Sequence, residues 1–522
     1  MRSTRRAFIA LCAATLTATA GGTADASLKR STPTTTADDE TGSTEPSGVV
    51  TYASFYEPSR LDPHRASNAG DAEVLFLTYD RLIHLSPEAD PVPGLAESWS
   101  YSDDGLELTL NLRSGITFHD DTPFDAEAVR ANLERAMTVE GSIATADLAA
   151  ITEIEVVSPT VVTLHLDHPQ ASLLAMLSDR HGAMISPAAF ENPDLDQAPV
   201  GAGMYRVVEY RPGEVVIFEP YENYWDTSVS RVARLEYRFI GDETTRLNAL
   251  KAGDIDVALI LPSQVQEATE SGLLTDMRTT LVYEQMFMNL TVAPFDNVDV
   301  RRALNYAIDR QAMVDSTQDG LGEPNSQIFP EGYWAFNEEL GADYYTYDPD
   351  KARELLAEAG FSDGFSFEVL LPTPGNTQVL AEVLQGQLAA VGIDMTINRV
   401  PVQNAADIFL VQQQGSSMLG AWSGRQDPSM TTTLRWTSTG FANPGRYALA
   451  EMEDLNAQAL ATNDQSERTA IFAQMDAIAL ENALDLVFYN TYIVHGANER
   501  ITEMPTIGLN GKVEFRHLAV TD

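Results

Sequence analysis

The densest chemistry in the chain lies in one stretch, Leu419-Gly420-Ala421-Trp422-Ser423-Gly424-Arg425-Gln426-Asp427-Pro428. Arg425 carries a planar guanidinium fork whose geometry matches a carboxylate. Trp422 offers a flat apolar surface with one polar edge. Asp427 either holds an ammonium group or caps the turn before Pro428 and pairs with Arg425. Tyr283 and Asn289 lie on one apolar run, and Tyr489 and Asn490 on another. Aromatic surface plus a few placed hydrogen-bonders is the composition of a ligand cleft, although core packing explains the two tyrosines equally well. Asn289-Leu290-Thr291 also spells a glycosylation sequon, a use that a buried position disfavours. These seven residues are candidates for holding a polar solute, and none is an activated nucleophile.

Bond-breaking motifs are missing. The body contains no Gly-x-Ser-x-Gly elbow, no His-Glu-x-x-His helix and no phosphate-binding Walker loop. Gly201-Ala202-Gly203 starts like a dinucleotide loop but lacks the third glycine, and reads as a turn. His165 and His168 precede Pro169 with neither a cysteine nor a Glu-bearing helix to complete a metal site. The acid pairs Asp103-Asp104 and Asp120-Asp121 read as solvated surface. No catalytic residue, cofactor or metal is expected.

The charge balance narrows the partners. The 522 residues include 76 Asp+Glu against 33 Lys+Arg, for a net charge of -43. Nucleic-acid binding rests on cations that neutralise phosphates, so this composition excludes it. The lysines are Lys29, Lys251, Lys351 and Lys512; every other cation is arginine. Excess carboxylate with few lysines fits a salty medium, where screening relieves self-repulsion, and fits equally an acidic exported protein from an Arg-favouring genome.

The N-terminus reads as an address. Arg2, Arg5 and Arg6 precede a short apolar stretch, Ala7 to Ala20, and Ala24-Asp25-Ala26 forms a small-x-small cleavage site. Thr4-Arg5-Arg6-Ala7-Phe8-Ile9 resembles a twin-arginine signal. Residues 1–26 are therefore read as an export signal, which places the protein in the periplasmic space or on the outer face of the cytoplasmic membrane. The sole cysteine, Cys12, offers lipid anchoring as an alternative, with bulky Leu11 against it. Cleavage after Ala26 leaves a mature chain without cysteine, and so without disulfides or thiolate sites. Residues 27–48 are Thr-, Asp- and Glu-rich and read as a flexible tether.

From Val49 onward, helix and strand patterns alternate. Strands are expected at Val49–Ala53, Leu106–Leu112, Val161–Leu166, Val215–Glu219, Arg234–Ile240, Ile255–Leu261, Ser366–Leu371, Ile393–Val400 and Leu486–Val494. Helices are expected at Ala72–Leu82, Asp125–Met137, Glu243–Ala252, Arg301–Val314, Pro349–Ala359, Gln378–Val391, Glu451–Leu460 and Ser466–Asn482, several ended by glycine. The rhythm is that of an α/β protein.

Six segments carry a family resemblance, in order along the body: Leu82 to Trp99; Leu110 to Asp125; Gly201 to Arg206; Ala249 to Asp256; Val300-Arg301-Arg302-Ala303-Leu304-Asn305-Tyr306-Ala307-Ile308-Asp309-Arg310; and Tyr347 to Leu356. Together they resemble the extracellular solute-binding proteins of ABC importers, the dipeptide/oligopeptide type (solute-binding family 5), which includes glutathione, nickel and haem binders. Most of these residues serve as scaffold.

The resemblance implies a two-lobed clamshell of the type II-like class, with an extra subdomain on the first lobe. Residues 49–280 would form lobe I, with the subdomain at about 86–200; 281–484 would form lobe II; and 485–522 would return to lobe I. Crossovers near Leu281–Leu290 and Leu486–Val494 would form the hinge, and closure would bury a peptide or small-molecule ligand for delivery to the ABC permease transmembrane subunits. The expected protein is a monomer and not an enzyme; the alternative is an extracytoplasmic hydrolase or a nickel-type metal binder on the same fold. Leu419–Pro428 resembles the second-lobe loop of dipeptide binders, where an aspartate meets the peptide's ammonium. Arg425 occupies that position here, which implies a carboxylate-bearing solute.

Overall fold

The β-branched run Val49-Val50-Thr51 forms the middle of strand β1, Ser47–Ser54. The strand starts two residues earlier than expected and takes the last two tether residues into the sheet. The computed structural model describes residues 46–68, 70–229, 231–373 and 377–521. The expected export signal (1–26), Cys12 and the tether up to residue 45 lie outside the described residues. Thr44–Asp522 form one compact unit, and among the described residues no helix is long and apolar enough to cross a membrane.

After β1 comes helix α1, Asp71–Thr78, buried along its whole length. It stops short of the expected Leu82 because Tyr79 is already extended. Strands β2 (Ala96–Tyr101), β3 (Glu107–Leu112), β4 (Ile151–Ser158) and β5 (Val161–Leu166) make a separate antiparallel sheet in the order β2-β3-β5-β4. Helix α2, Ala126–Thr138, starts at Asp125, whose carboxylate accepts the Ala128 N–H at 3.0 Å, a stabilising N-cap. This subdomain has its own core around Leu108, Leu110, Leu133, Val162 and Leu164.

The chain then supplies β6 (Tyr205–Arg211), β7 (Val215–Pro220), β8 (Val232–Phe239), α3 (Glu243–Ala252), β9 (Val257–Ile260) and the long β10 (Leu274–Met288). Next come α4 (Val298–Tyr306), α5 (Arg310–Gln318), β11 (Gly322–Pro324), α6 (Pro349–Glu358), β12 (Phe365–Thr373), α7 (Gln378–Ala389) and β13 (Ile393–Pro401). Finally come β14 (Ser417–Trp422), α8 (Pro428–Trp436), α9 (Ala450–Ala461), α10 (Gln465–Glu481) and β15 (Leu486–Ala497).

These strands make one large sheet in the order β13-β12-β14-β10-β15-β9-β1-β8-β7-β6, with β11 added on β15. The two longest strands, β10 and β15, are antiparallel neighbours at its centre. Their pairing shifts register between Thr279 and Tyr283 and again between Glu284 and Gln285, and such bulges sharpen local twist. One hydrophobic core draws on Leu281, Met286, Leu304, Leu384 and Phe488. Another gathers Tyr52, Leu75, Phe218, Tyr237 and Phe515. The molecule therefore has two lobes joined through one sheet, with the small antiparallel subdomain beside the first.

Three further expectations change. The helix expected over Arg301–Val314 is two helices, because Asp309 caps α5 by accepting the Ala312 N–H at 2.9 Å. The first crossover begins at Leu274, seven residues ahead of Leu281. Leu419–Trp422, expected in a loop, are paired in β14 with β10, so the loop is only Ser423–Asp427.

A candidate binding cavity between the lobes

That loop leaves the sheet at Trp422, which pairs with Tyr283, and crosses Leu281 of β10. A Cβ built on Gly424 would stand 2.0 Å from the Leu281 Cβ, so only glycine lets the loop pass this close. The crossing delivers Arg425 and Gln426, with Met430 of α8, to one wall of a cavity of about 210 Å³. The other wall comes from the first lobe and its subdomain: Ser67, Ile143, Asp147, Met176, Asp179, Arg180 and His181.

The turn Asp179-Arg180-His181-Gly182 supplies three of these seven residues. Asp179 caps it by accepting the Arg180 N–H at 2.7 Å, and Gly182 is pressed so close that a Cβ would meet the Leu177 carbonyl oxygen at 1.9 Å. Arg180 Nη1 donates to the carbonyls of Ala66 (2.6 Å) and Asn68 (3.0 Å), which holds the chain around Ser67 in place. Asp71, at the start of α1, accepts the Asn68 N–H at 2.8 Å and the Ser59 N–H at 2.7 Å. His181 Nε2 lies 2.9 Å from Asp147 Oδ2.

Asp179 also ties the lobes together. Its Oδ2 accepts Gln426 Nε2–H at 2.6 Å from the second lobe and lies 2.6 Å from Lys512 Nζ of the C-terminal segment. Burial opposes ionisation of this carboxyl, but Lys512, Arg180 and His181 outweigh it and hold it well below the usual range. Burial pulls the Lys512 ammonium down to about 8. A second contact, Ala171 N–H to the Leu460 carbonyl at 3.0 Å, joins the subdomain to α9. The lobes are in contact, and the cavity is the space left between them.

The expected ligand residues have different surroundings. Arg425 is exposed and lines the cavity, with no salt bridge among the described residues. Asp427 is buried, accepts the Ser429 N–H at 2.9 Å as the cap of α8, and forms a two-pronged ion pair with Arg468 at 2.6 and 2.7 Å. It caps the turn as one expectation held, but its cation is Arg468 and not Arg425. The subdomain feels this pair, since burial and then Asp427 push the Tyr101 hydroxyl up.

Trp422 packs at the edge of the second lobe's core, and its Nε1 approaches Thr431 Oγ1 at 3.4 Å. Tyr283 is fully buried in that core. Tyr489 meets the Thr317 hydroxyl at 2.9 Å, and burial pushes its own hydroxyl up to about 12. Asn490 accepts Asn325 Nδ2–H at 2.9 Å, and Asn289 accepts the Thr291 hydroxyl at 2.8 Å. None of these five lines the cavity.

The first-lobe wall was missed by sequence reasoning. Its one visible signal is the polar triplet Asp179-Arg180-His181 interrupting an apolar run from Leu173 to Met184. Other spaces are less apt. Voids of about 20 and 10 Å³ inside the second lobe, around Trp436 and Asp485, are water-sized. A groove of about 550 Å³ between Tyr306, Tyr344, Lys351 and Glu481 is lined by the second lobe alone. Among the described residues no group of three or more His, Cys, Asp or Glu is placed to hold a metal ion. His165 instead faces Glu155 and Glu107 at 3.2 and 3.4 Å.

The chain was compared with known proteins. Residues 90–444 match the family described as bacterial extracellular solute-binding proteins, family 5 Middle. The glutathione-binding protein GsiB of Escherichia coli O1:K1 is 32% identical over 456 residues, covering 84% of this chain and 88% of that protein. Among solved structures, NikA from Brucella suis in complex with Fe(III)-EDTA superposes with a TM-score of 0.82 at 22% identity, covering 91% of this chain and all of NikA. DppA from Helicobacter pylori, an ABC transporter-associated periplasmic binding protein in complex with the peptide STSA, gives 0.76 at 23% identity, covering 91% and 99%. A two-lobed fold built around a cavity that both lobes line, matched over most of its length, makes this chain a member of the bacterial extracellular solute-binding proteins, family 5.

Proposed function

We propose that this protein captures a short peptide or peptide-like solute bearing a free carboxylate and delivers it to the transmembrane subunits of an ABC permease, acting as a monomer and catalysing no reaction. One observation carries the reading: Arg425, a cation without a salt-bridge partner among the described residues, lines the cavity between the lobes. A guanidinium fork lining a cleft favours a carboxylate over a neutral group. The glutathione-binding relative supports a small, carboxylate-rich ligand. The cavity's volume, about 210 Å³, supports a short solute over a long peptide, since sites for drug-sized ligands span roughly 300–1,000 Å³.

In this reading residues 1–26 are a twin-arginine export signal, and the mature chain works outside the cytoplasmic membrane without a lipid on Cys12. Lobe I runs over 49–280 with the subdomain at about 86–200, lobe II over 281–484, and 485–522 returns to lobe I. Calorimetric titration with glutathione and short peptides, each as the free acid and as the C-terminal amide, tests the ligand class. Amidation is expected to weaken binding about tenfold or more, which is 1.4 kcal/mol. Amides that bind as tightly as free acids would sink the carboxylate assignment.

A further inference from the structure

The two acids on the first-lobe wall of the cavity are not equivalent. Asp179 is fully engaged: it caps its own turn, accepts from Gln426 and sits on Lys512. Asp147 is not. Its Oδ2 meets His181 Nε2 at 2.9 Å, its side chain keeps 41% of its exposure, and no contact to its Oδ1 occurs among the described residues. The backbone around it is fixed, because the Asp147 carbonyl accepts Gln170 Nε2–H at 3.2 Å. His181 is itself buried, and its Nδ1 has no partner among the described residues. The imidazole thus holds one carboxylate oxygen of a residue that lines the cavity and leaves the other without a partner among the described residues.

Across the same space stands Arg425, from the other lobe. The space between the lobes therefore carries Arg425, without a salt bridge among the described residues, on one wall, and the half-shared Asp147 beside Arg180 on the other. A solute with a carboxylate alone would cover the second oxygen of Asp147 without offering it a donor, which is unfavourable. A dipolar solute satisfies both groups, and only while the lobes are together. We infer that Asp147 is the ammonium-binding residue of this cavity, positioned by His181, and that the solute is a zwitterion whose amine rests on the subdomain and whose carboxylate rests on Arg425. This rests on the ligand reading proposed above and adds to it a positive charge and the residue that receives it.

The test separates the two. The mature protein and its Asp147→Asn and Asp147→Ser variants are titrated with glutathione, trialanine and the N-acetyl derivative of each. N-acetylation is expected to weaken binding to the wild type about tenfold or more, and this penalty should shrink below about threefold in both variants. His181→Gln should give an intermediate penalty. The readout is a ratio of two ligands on one protein, so a general loss of folding in a variant cancels. An acetylation penalty of the same size in wild type and variants overturns the role of Asp147. Equal binding of free and acetylated probes to the wild type also overturns it, while the carboxylate reading stands. If no probe of either kind binds, both readings fall.

Discussion

Arg425 and Asp427 stand two residues apart on one loop, yet one charge faces the cavity and the other is locked inside the second lobe. Asp427 turns inward, caps α8 and is clamped by the Arg468 fork, which is itself held by the Ala459 carbonyl at 3.0 Å and lies 5.3 Å from the Trp334 ring. Arg425, one side chain past the tight crossing at Gly424, has no such partner among the described residues. In a chain with 76 acids, sign and sequence position say little about which charges bind solute. What separates them is whether the fold has already supplied the counter-charge. The first-lobe wall repeats the lesson with the saturated Asp179 and the half-shared Asp147.

Removing the locked charge should have the largest effect. Asp427→Ala leaves Arg468 buried without a counter-ion and is expected to lower unfolding free energy by about 3–5 kcal/mol, read from urea midpoints of ligand-free protein. A change below about 1 kcal/mol would mean the pair is hydrated and would blur the contrast with Arg425.

The free charge should respond in the opposite way. Arg425→Ala is expected to cost on the order of 2–5 kcal/mol of ligand affinity, while the unfolding free energy of the empty protein shifts within about 0.5 kcal/mol. Arg425→Lys should recover little of the affinity, since a point charge lacks the fork. Stability loss in place of affinity loss would make Arg425 another structural cation.

Glu73 of α1 sharpens the comparison as a buried acid with no salt bridge among the described residues. It accepts the Tyr237 hydroxyl, and burial pushes its carboxyl up to about 7 from an ordinary 4.5. Between these values the folded protein holds a proton that the unfolded chain has released, so stability falls as pH rises from about 4.5 to about 7 and is flat above. The difference between wild type and Glu73→Gln should follow that slope, with an amplitude on the order of 1–3 kcal/mol. Parallel pH profiles for the two proteins would refute it.

The smallest effect concerns the remaining surface. With a net charge of -43, raising salt from millimolar to molar levels should stabilise the empty protein by about 1 kcal/mol or more, seen as a melting temperature higher by a few degrees. A flat response would show that local ion pairs already absorb the repulsion.

Local elements were readable because their signals are local. Asp125 caps α2, Gly253 closes α3 in the left-handed conformation, and Val161–Leu166 is the strand its alternation implies. The helix break at Asp309 was missed because Ala307 and Ile308 continue the apolar face across it. Strand β4 was missed although Ile154 and Val156 alternate with the solvent-facing Glu153 and Glu155 as in a half-buried strand. Half of the cavity was visible as Arg425. The other half depends on where the subdomain sits, and no spacing in the sequence places Asp147 and His181 opposite a loop more than 240 residues away. Trp422 and the crossover tyrosines drew attention because an aromatic beside a hinge looks the same in sequence whether it packs a core or a ligand.

The central position of β15 has a consequence for how the chain is made. The last long strand to be synthesised lies between β10 and β9, in the interior of the sheet, and its His495 meets the Tyr52 hydroxyl at 3.1 Å across 443 residues. Until residue 497 is available, β9 and β10 each expose an unpaired edge, and both hydrophobic cores lack residues that β15 contributes. Such non-local closure is slow, and open edges template aggregation while it is pending. A chain ending before Leu486 is therefore expected to expose open sheet edges and incomplete cores, and to aggregate more readily than the full chain.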